Sequence, residues 1–182
     1  MILFGDAVKQ KLMEGINLVA DTVKPTLGPQ AKTVILQGNP PVVINDGVTI
    51  TKYVKSDDPF IQMGIQLVQD IASKAQDTSG DGTTTACVLA QALCNNILEL
   101  EELYNLHQLK LELLTASMKV TRFLKEKATE IDEDNVYDIA MIASNNDSAM
   151  ASIISEAVKT VGKEGIVALE ESKSNKTYLE VK

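Results

Sequence analysis

The run Gly80-Asp81-Gly82-Thr83-Thr84-Thr85 sets one carboxylate, two glycines and three adjacent hydroxyls in a row. It lies between two stretches of helical periodicity. Phe60, Gly64, Leu67, Val68, Ile71 and Ala75 mark the first, and Ala86, Leu89, Ala90, Leu93 and Ile97 the second. The loop therefore opens a helix, whose first N–H groups have no partner inside the helix and attract anions. Glycines at 80 and 82 admit positive φ and let a ligand come close. Asp81 repels phosphate, so its chemical use in such a loop is to hold a hard divalent cation, magnesium, that bridges to phosphate oxygens. The threonine hydroxyls add donors. A second reading needs no ligand, because Asp and Thr are preferred helix caps and the glycines serve the turn. Residue chemistry leaves both open. The loop is not a Walker A sequence, since no Lys follows the second glycine.

The elements that must position this loop belong to a chain of 182 residues, 45% of them hydrophobic, long enough to bury a core. A net charge of −8 argues against sequence-independent nucleic-acid binding, which needs a basic stripe. No apolar run approaches the roughly 20 residues of a membrane span, and the amino terminus lacks a signal-peptide pattern. Cys87 and Cys94 lie two helical turns apart on one face, too far to bridge, and read as buried thiols in a reducing compartment. A cytoplasmic setting is expected. His107 is the one histidine and reads as a surface residue, so no zinc constellation forms.

Helices dominate the pattern. Val8, Leu12, Ile16, Val19 and Val23 make an amphipathic helix that stops near Lys24, ahead of Pro25. A turn at Thr26-Leu27-Gly28-Pro29 follows. Thr33–Gln37 and Val42–Ile44 read as strands joined by the stiff Gly38-Asn39-Pro40-Pro41, and Val48–Thr51 as a third strand after a hairpin-type turn at Asn45-Asp46-Gly47. A long helix is expected from Leu106 to about Ala128, and the charged stretch Glu126–Asn135 as a domain boundary. Beyond it come a short helix at Val136–Ala143, a longer one from Met150 to Val161, and two closing strands, Ile166–Leu169 and Thr177–Val181. The fold class is mainly α with small β elements (α+β).

Thr26-Leu27-Gly28-Pro29, Asp46-Gly47 and Gly80–Thr85 together resemble the nucleotide loops of the GroEL-type, or group I, chaperonin family, in the same order and at closely matching separations. Ser73-Lys74-Ala75, Val88-Leu89-Ala90-Gln91-Ala92 and Val161-Gly162-Lys163-Glu164-Gly165 match as well, so the resemblance covers nearly the whole chain and displaces the capping-only reading. It implies a helical equatorial domain that binds ATP and builds the ring, an intermediate hinge domain, and an apical domain for unfolded protein and the co-chaperonin. By that pattern residues 1–129 are the amino-terminal part of the equatorial domain and 130–182 the ascending part of the intermediate domain. The apical domain is expected to be absent here. The implied cofactors are ATP and magnesium. Asp81 would hold the metal, Thr26, Leu27, Gly28 and Pro29 would contact nucleotide through backbone groups, and Gly82, Thr83, Thr84 and Thr85 would bind phosphate oxygens. Asn45 and Gly47 flank Asp46, which would act near the attacking water. The implied partners are other chaperonin subunits in a ring, with unfolded protein and co-chaperonin reached only through the apical domain.

The sequence also departs from the family pattern. Gln30-Ala31-Lys32 stands where Lys-Gly-Arg is common, Asn45 where a Lys usually sits beside the catalytic Asp, and Pro25 stiffens the nucleotide turn. Glu101–Leu111 lacks the usual Gly-Met-Asn-Pro turn and is expected to continue as helix. The family's second catalytic Asp comes from the returning hinge segment, beyond Lys182, so this chain alone is expected to turn over little ATP. The expected function is the ATP-binding portion of a protein-folding ring subunit. The alternative is a non-enzymatic nucleotide-sensing or ring-interaction module. Either way the chain is expected to expose apolar surface and to associate.

Overall fold

The structure, a computed structural model, describes residues 2–28, 31–101, 103–132, 135–162, 165–172 and 177–181. Its elements are α1 (Asp6–Val23), a 3-10 turn (Lys24–Thr26), β1 (Val34–Leu36), β2 (Val42–Ile44), α2 (Gly47–Tyr53), α3 (Pro59–Ser79), α4 (Thr83–Leu100), α5 (Leu106–Lys127), α6 (Val136–Ala143) and α7 (Ser148–Val161). The chain divides into two compact units, Met1–Leu113 and Leu114–Lys182. The fold is mainly helical with a small sheet, as the sequence pattern requires.

In the first unit α1 packs on α3 and α4, which also pack on each other, and α2 lies against α3. Met13, Ile16, Val19 and Val23 of α1 meet Ile61, Ile65, Val68 and Ala72 of α3, Cys87 of α4, Ile50 of α2 and Leu36 of β1 in one cluster. Burial of a side chain the size of Ile50, Ile65 or Val19 contributes about 1.5–3 kcal/mol relative to exposure. α1 and α3 approach to backbone contact, because Gly15 faces Gly64. A Cβ on Gly15 would lie 3.0 Å from the Gly64 Cα, and one on Gly64 would lie 2.9 Å from the Leu12 carbonyl carbon. Ion pairs fasten the rim. Lys11 Nζ sits 3.0 Å from the Asp58 carboxylate and Lys9 Nζ 2.6 Å from Glu101. Asp58 accepts from Lys11 and from the Phe60 N–H at its own helix start, which holds its pKa below the usual carboxylate value.

Several elements differ from the sequence expectation. Val48–Thr51 is not a strand but part of α2, although its β-branched residues favour strand. Asp46 caps it, accepting from the Thr49 N–H at 2.8 Å, and Gly47, Val48, Ile50 and Thr51 are buried, so cap and burial outweigh propensity. Asn45-Asp46-Gly47 is accordingly a helix start rather than a hairpin turn. The hairpin lies one connection earlier: β1 and β2 pair antiparallel across Gly38–Pro41, with Val34 opposite Ile44 and Leu36 opposite Val42. Helix does not continue through Glu101–Leu111. α4 ends at Leu100, and Asn105 starts α5 by accepting from the His107 N–H at 2.9 Å. The described parts of the two closing segments carry no strand, because β1 and β2 pair only with each other and leave those residues without a ladder partner.

The core-facing stripes of α3 and α4 also sit beside the expected ones. Leu67 and Ile71 are 50% and 41% exposed, Leu89 and Leu93 57% and 50%, while the smaller Gly64, Ala72, Thr83, Cys87 and Gln91 are buried. On α3, Gly64 lies where α1 comes nearest, and Ile61, Ile65 and Val68 fill the core beside it. His107 is exposed, as expected. In the second unit α6 packs on α7 around Ala140, Ala151, Ser155 and Ala157. Asp147 caps α7 by accepting from the Met150 N–H at 3.0 Å.

Candidate functional site

The Gly80–Thr85 loop forms between two left-handed residues. Gly80 closes α3 at φ 71° and Gly82 precedes α4 at φ 79°, conformations in which a Cβ would be strained. α2, α3 and α7 each begin on an Asp whose carboxylate takes up an N–H of the first turn. α4 begins on Gly82, which has no side chain to do this. The Asp81 carboxylate is exposed and accepts from the adjacent Gly82 N–H at 2.6 Å, so it lies beside the helix start rather than over it. The first turn of α4 thus keeps its N–H groups uncapped by side chains, with the Thr84 and Thr85 hydroxyls alongside.

Two distant segments converge on this turn. Thr26 Oγ1 lies 3.3 Å from Thr84 Oγ1 and donates to the Val23 carbonyl at 2.8 Å. Gly47, first residue of α2, abuts the same place: a Cβ there would collide with Thr84 Oγ1 and lie 3.0 Å from Thr83 Oγ1 and 3.3 Å from the Thr84 nitrogen. Absence of a side chain at 47 is what lets α2 and α4 begin side by side. Gly28 follows Thr26 at φ 87°, and the turn is closed by the Lys32 N–H on the Pro25 carbonyl at 2.9 Å and the Ala31 N–H on the Gly28 carbonyl at 3.0 Å.

Thr26, Gly47, Gly82, Thr83 and Thr84 therefore meet, with Leu27, Gly28, Asn45, Asp46, Asp81 and Thr85 beside them along the chain. Pro29 lies outside the described residues. The Asp46 carboxylate is engaged with the Thr49 N–H, and the Asp81 carboxylate with Gly82; no direct contact joins the two among the described residues. Nor do the described residues hold a cluster of three His, Cys, Asp or Glu side chains suited to a metal ion. Asp81 suits magnesium in the manner of a single carboxylate that shares the ion with phosphate oxygens and water. Nucleotide phosphate fits the cradle for the same reason: uncapped N–H groups, hydroxyls and glycine at the closest approach.

Sequence reasoning missed the polar network beneath this cradle. Gln91 of α4 is 8% exposed; its Nε2 donates to Asn17 Oδ1 at 2.9 Å and Asp21 Oδ1 at 3.0 Å, and its Oε1 accepts from Lys24 Nζ at 2.9 Å. Lys24 Nζ also lies 3.1 Å from Asp21 Oδ1. The hydrogen bond from Gln91, then that from Lys24, lowers the Asp21 pKa below its ordinary value. The available signal was a Gln on the stripe that carries Thr83 and Cys87. Burial pushes the Cys87 thiol up to about 11, and Cys94 is also raised by burial. Both thiols are unbridged, Cys87 buried and Cys94 half-buried, as expected. The model of the TCP-1/cpn60 chaperonin family matches residues 19–180.

The chain belongs to the TCP-1/cpn60 chaperonin family. A chaperonin GroEL of Methanospirillum hungatei is 42% identical over 98% of this chain and 34% of its own length. The chain thus spans about a third of that chaperonin. Among solved structures, the chaperonin gp146 from the bacteriophage EL 2 (Pseudomonas aeruginosa), obtained in presence of ATP-BeFx, superposes with a TM-score of 0.73 at 24% identity, over 84% of this chain and 28% of that one. A group III chaperonin in the open state gives 0.69 at 24% identity, over 85% and 32%. These two likenesses establish the chaperonin fold. No helix among the described residues is long and apolar enough to cross a membrane.

Proposed function

We propose that this chain is the ATP-binding portion of a ring-forming chaperonin subunit of the group I type that assists protein folding. One observation carries the reading: Thr26, Gly47 and Thr83-Thr84, far apart in sequence, meet at the uncapped start of α4. The 42% identity to a chaperonin GroEL supports group I. Residues 1–129 are read from the family pattern as equatorial domain and 130–182 as ascending intermediate domain; α5 ends close to that boundary, at Lys127, whereas the compact units divide within α5, after Leu113.

Asp81 would hold magnesium, which would supply positive charge to offset that of the phosphates. The Thr83–Thr85 N–H and hydroxyl groups would donate to phosphate oxygens, Gly47 lets Thr83 and Thr84 approach α2, and the backbone of Thr26–Gly28 would contact the nucleotide. Asp46, whose carboxylate caps α2 through the Thr49 N–H, is read as the residue that would orient a water for attack. Phosphoryl transfer rests on positioning and charge stabilisation, so the contribution proposed for Asp46 is to hold the water rather than to do covalent chemistry. Other chaperonin subunits are the proposed partners. Asn45 in place of a cationic neighbour favours the alternative, a nucleotide-sensing or ring-interaction module without turnover.

Calorimetric titration with ATP and magnesium tests the site. Saturable binding is expected, weakened at least about tenfold, or about 1.4 kcal/mol, in Asp81→Ala. A wild-type chain that takes up no ATP refutes it, and a coupled phosphate-release assay separates slow turnover from none.

A further inference from the structure

The turn that carries Thr26 leaves α1 through Lys24, and Lys24 does not face the cradle. Its ammonium points back to Asp21 and Gln91. Asn17, Asp21 and Lys24 share one face of the α1 end, at spacings of four and three residues. All three converge on Gln91, which lies seven residues beyond Thr84 on the same face of α4, roughly 10 Å along its axis. A closed loop of contacts results: Thr84 to Thr26, Thr26 along the chain to Lys24 and Asp21, those to Gln91, and Gln91 along α4 back to Thr84.

Gln is the side chain this arrangement needs. Its Nε2 satisfies two oxygens while its Oε1 takes the ammonium. Glu cannot donate and sets a second negative charge beside Asp21. Met of similar length offers neither function. Because Gln91 is nearly closed to solvent, water cannot readily replace what such variants remove. The Thr26–Thr84 contact at 3.3 Å is weak by itself, so the angle of the turn must be set elsewhere.

We propose that Gln91 is a positioning residue for the nucleotide cradle: with Asn17, Asp21 and Lys24 it fixes the direction in which the turn at Thr26–Gly28 leaves α1, and thereby keeps Thr26 against Thr84 before nucleotide arrives. The effect on affinity rests on the proposed ATP site; the effect on the turn does not.

Hydrogen exchange on the nucleotide-free chain reads the second effect. In Gln91→Met the amides of Leu27, Ala31 and Lys32, hydrogen-bonded across the turn, exchange at least about tenfold faster, while those of Val19 and Val68 in the core keep their rates. Asp21→Asn combined with Gln91→Glu reverses donor and acceptor, leaves Lys24 an anion, and restores slow exchange. Titration with ATP and magnesium reads the first effect. Affinity falls about tenfold in Gln91→Met and recovers in the double variant, and Gln91→Met adds nothing when Thr26 is already Val. Unchanged exchange in the turn overturns the inference whatever the binding result, as does acceleration spread evenly through α1, α3 and α4. A wild-type chain without ATP affinity overturns the nucleotide reading instead, and the exchange result then still decides whether Gln91 holds the turn.

Discussion

A single methyl group at Gly47 tests the cradle directly. Ala at the first position of a helix is no backbone problem and, by propensity alone, favours the helix by up to about 1 kcal/mol over Gly. Contact reverses this. The added Cβ would overlap Thr84 Oγ1 and sit 3.0 Å from Thr83 Oγ1 and 3.3 Å from the Thr84 nitrogen. Thr84 can rotate its hydroxyl away only by giving up Thr26, Thr83 is 7% exposed and has little room, and the Thr84 nitrogen moves only with α4. The starts of α2 and α4 must therefore part by a few tenths of an ångström or more. Overpacking of this kind costs about 1–3 kcal/mol, leaving a net destabilisation of roughly 0–2 kcal/mol after the propensity gain. Ligand binding suffers more, since one misaligned hydrogen bond to a charged phosphate oxygen forfeits about 1.5–3 kcal/mol. Urea denaturation should place Gly47→Ala within about 2 kcal/mol of wild type, and calorimetry should show ATP·magnesium affinity at least about tenfold weaker. An affinity within about twofold of wild type would refute the placement of phosphate against Gly47.

Asp46 caps α2, so Asp46→Ala should lower stability by about 1 kcal/mol in urea melts while Asp46→Asn, itself a good cap, leaves it nearly unchanged; any phosphate release by the chain disappears in both. Gly64→Ala drives a Cβ into the Leu12 backbone of α1, and calorimetric melting should show a net loss of up to roughly 2 kcal/mol once helix propensity is credited. Alkali should destabilise the fold through Cys87. Its folded pKa of about 11 exceeds the ordinary 9.0, so the unfolded chain releases a proton that the folded one retains across that window, and stability declines with rising pH. Cys87→Ala flattens the slope in denaturation series over this range. Asp21 and Asp58 act oppositely: both are held below 3.8, so their contribution is present above that pH and is lost as acid is added below it.

Helices with clear periodicity and a chemical stop were legible in the sequence. Pro25 ended α1, and Gly80 and Gly82 took the positive φ expected of them. The cradle residues stood out in the sequence, but residue chemistry left capping and anion binding both open, and only the family resemblance chose between them. What places them was not legible. Val48–Thr51 looks like strand by composition, and only the Asp46 cap with burial of Gly47, Val48 and Ile50 makes it helix. α3 and α4 each carry two apolar stripes, and periodicity alone does not say which is buried: Ile61, Ile65 and Val68 of α3 and Cys87 of α4 face the core, while Leu67, Ile71, Leu89 and Leu93 are exposed. Gln91 was missed since its partners, Asn17, Asp21 and Lys24, lie on another helix, and such a pairing is visible only once α1 rests on α4.

The bare start of α4 would link folding to the supply of a small molecule if the proposed nucleotide site is filled. α2, α3 and α7 contain their own caps and are finished when the chain folds. α4 begins on Gly82 and, like α1 and α6, has no side-chain cap; of the three, it is the one that carries the proposed nucleotide site. A bound anion would supply what an Asp supplies elsewhere, about 1 kcal/mol for the cap itself, and mass action would raise the stability of the folded chain by about 2.7 kcal/mol at a hundredfold excess over Kd. If the proposed site takes up nucleotide, the melting temperature becomes a gauge of its concentration.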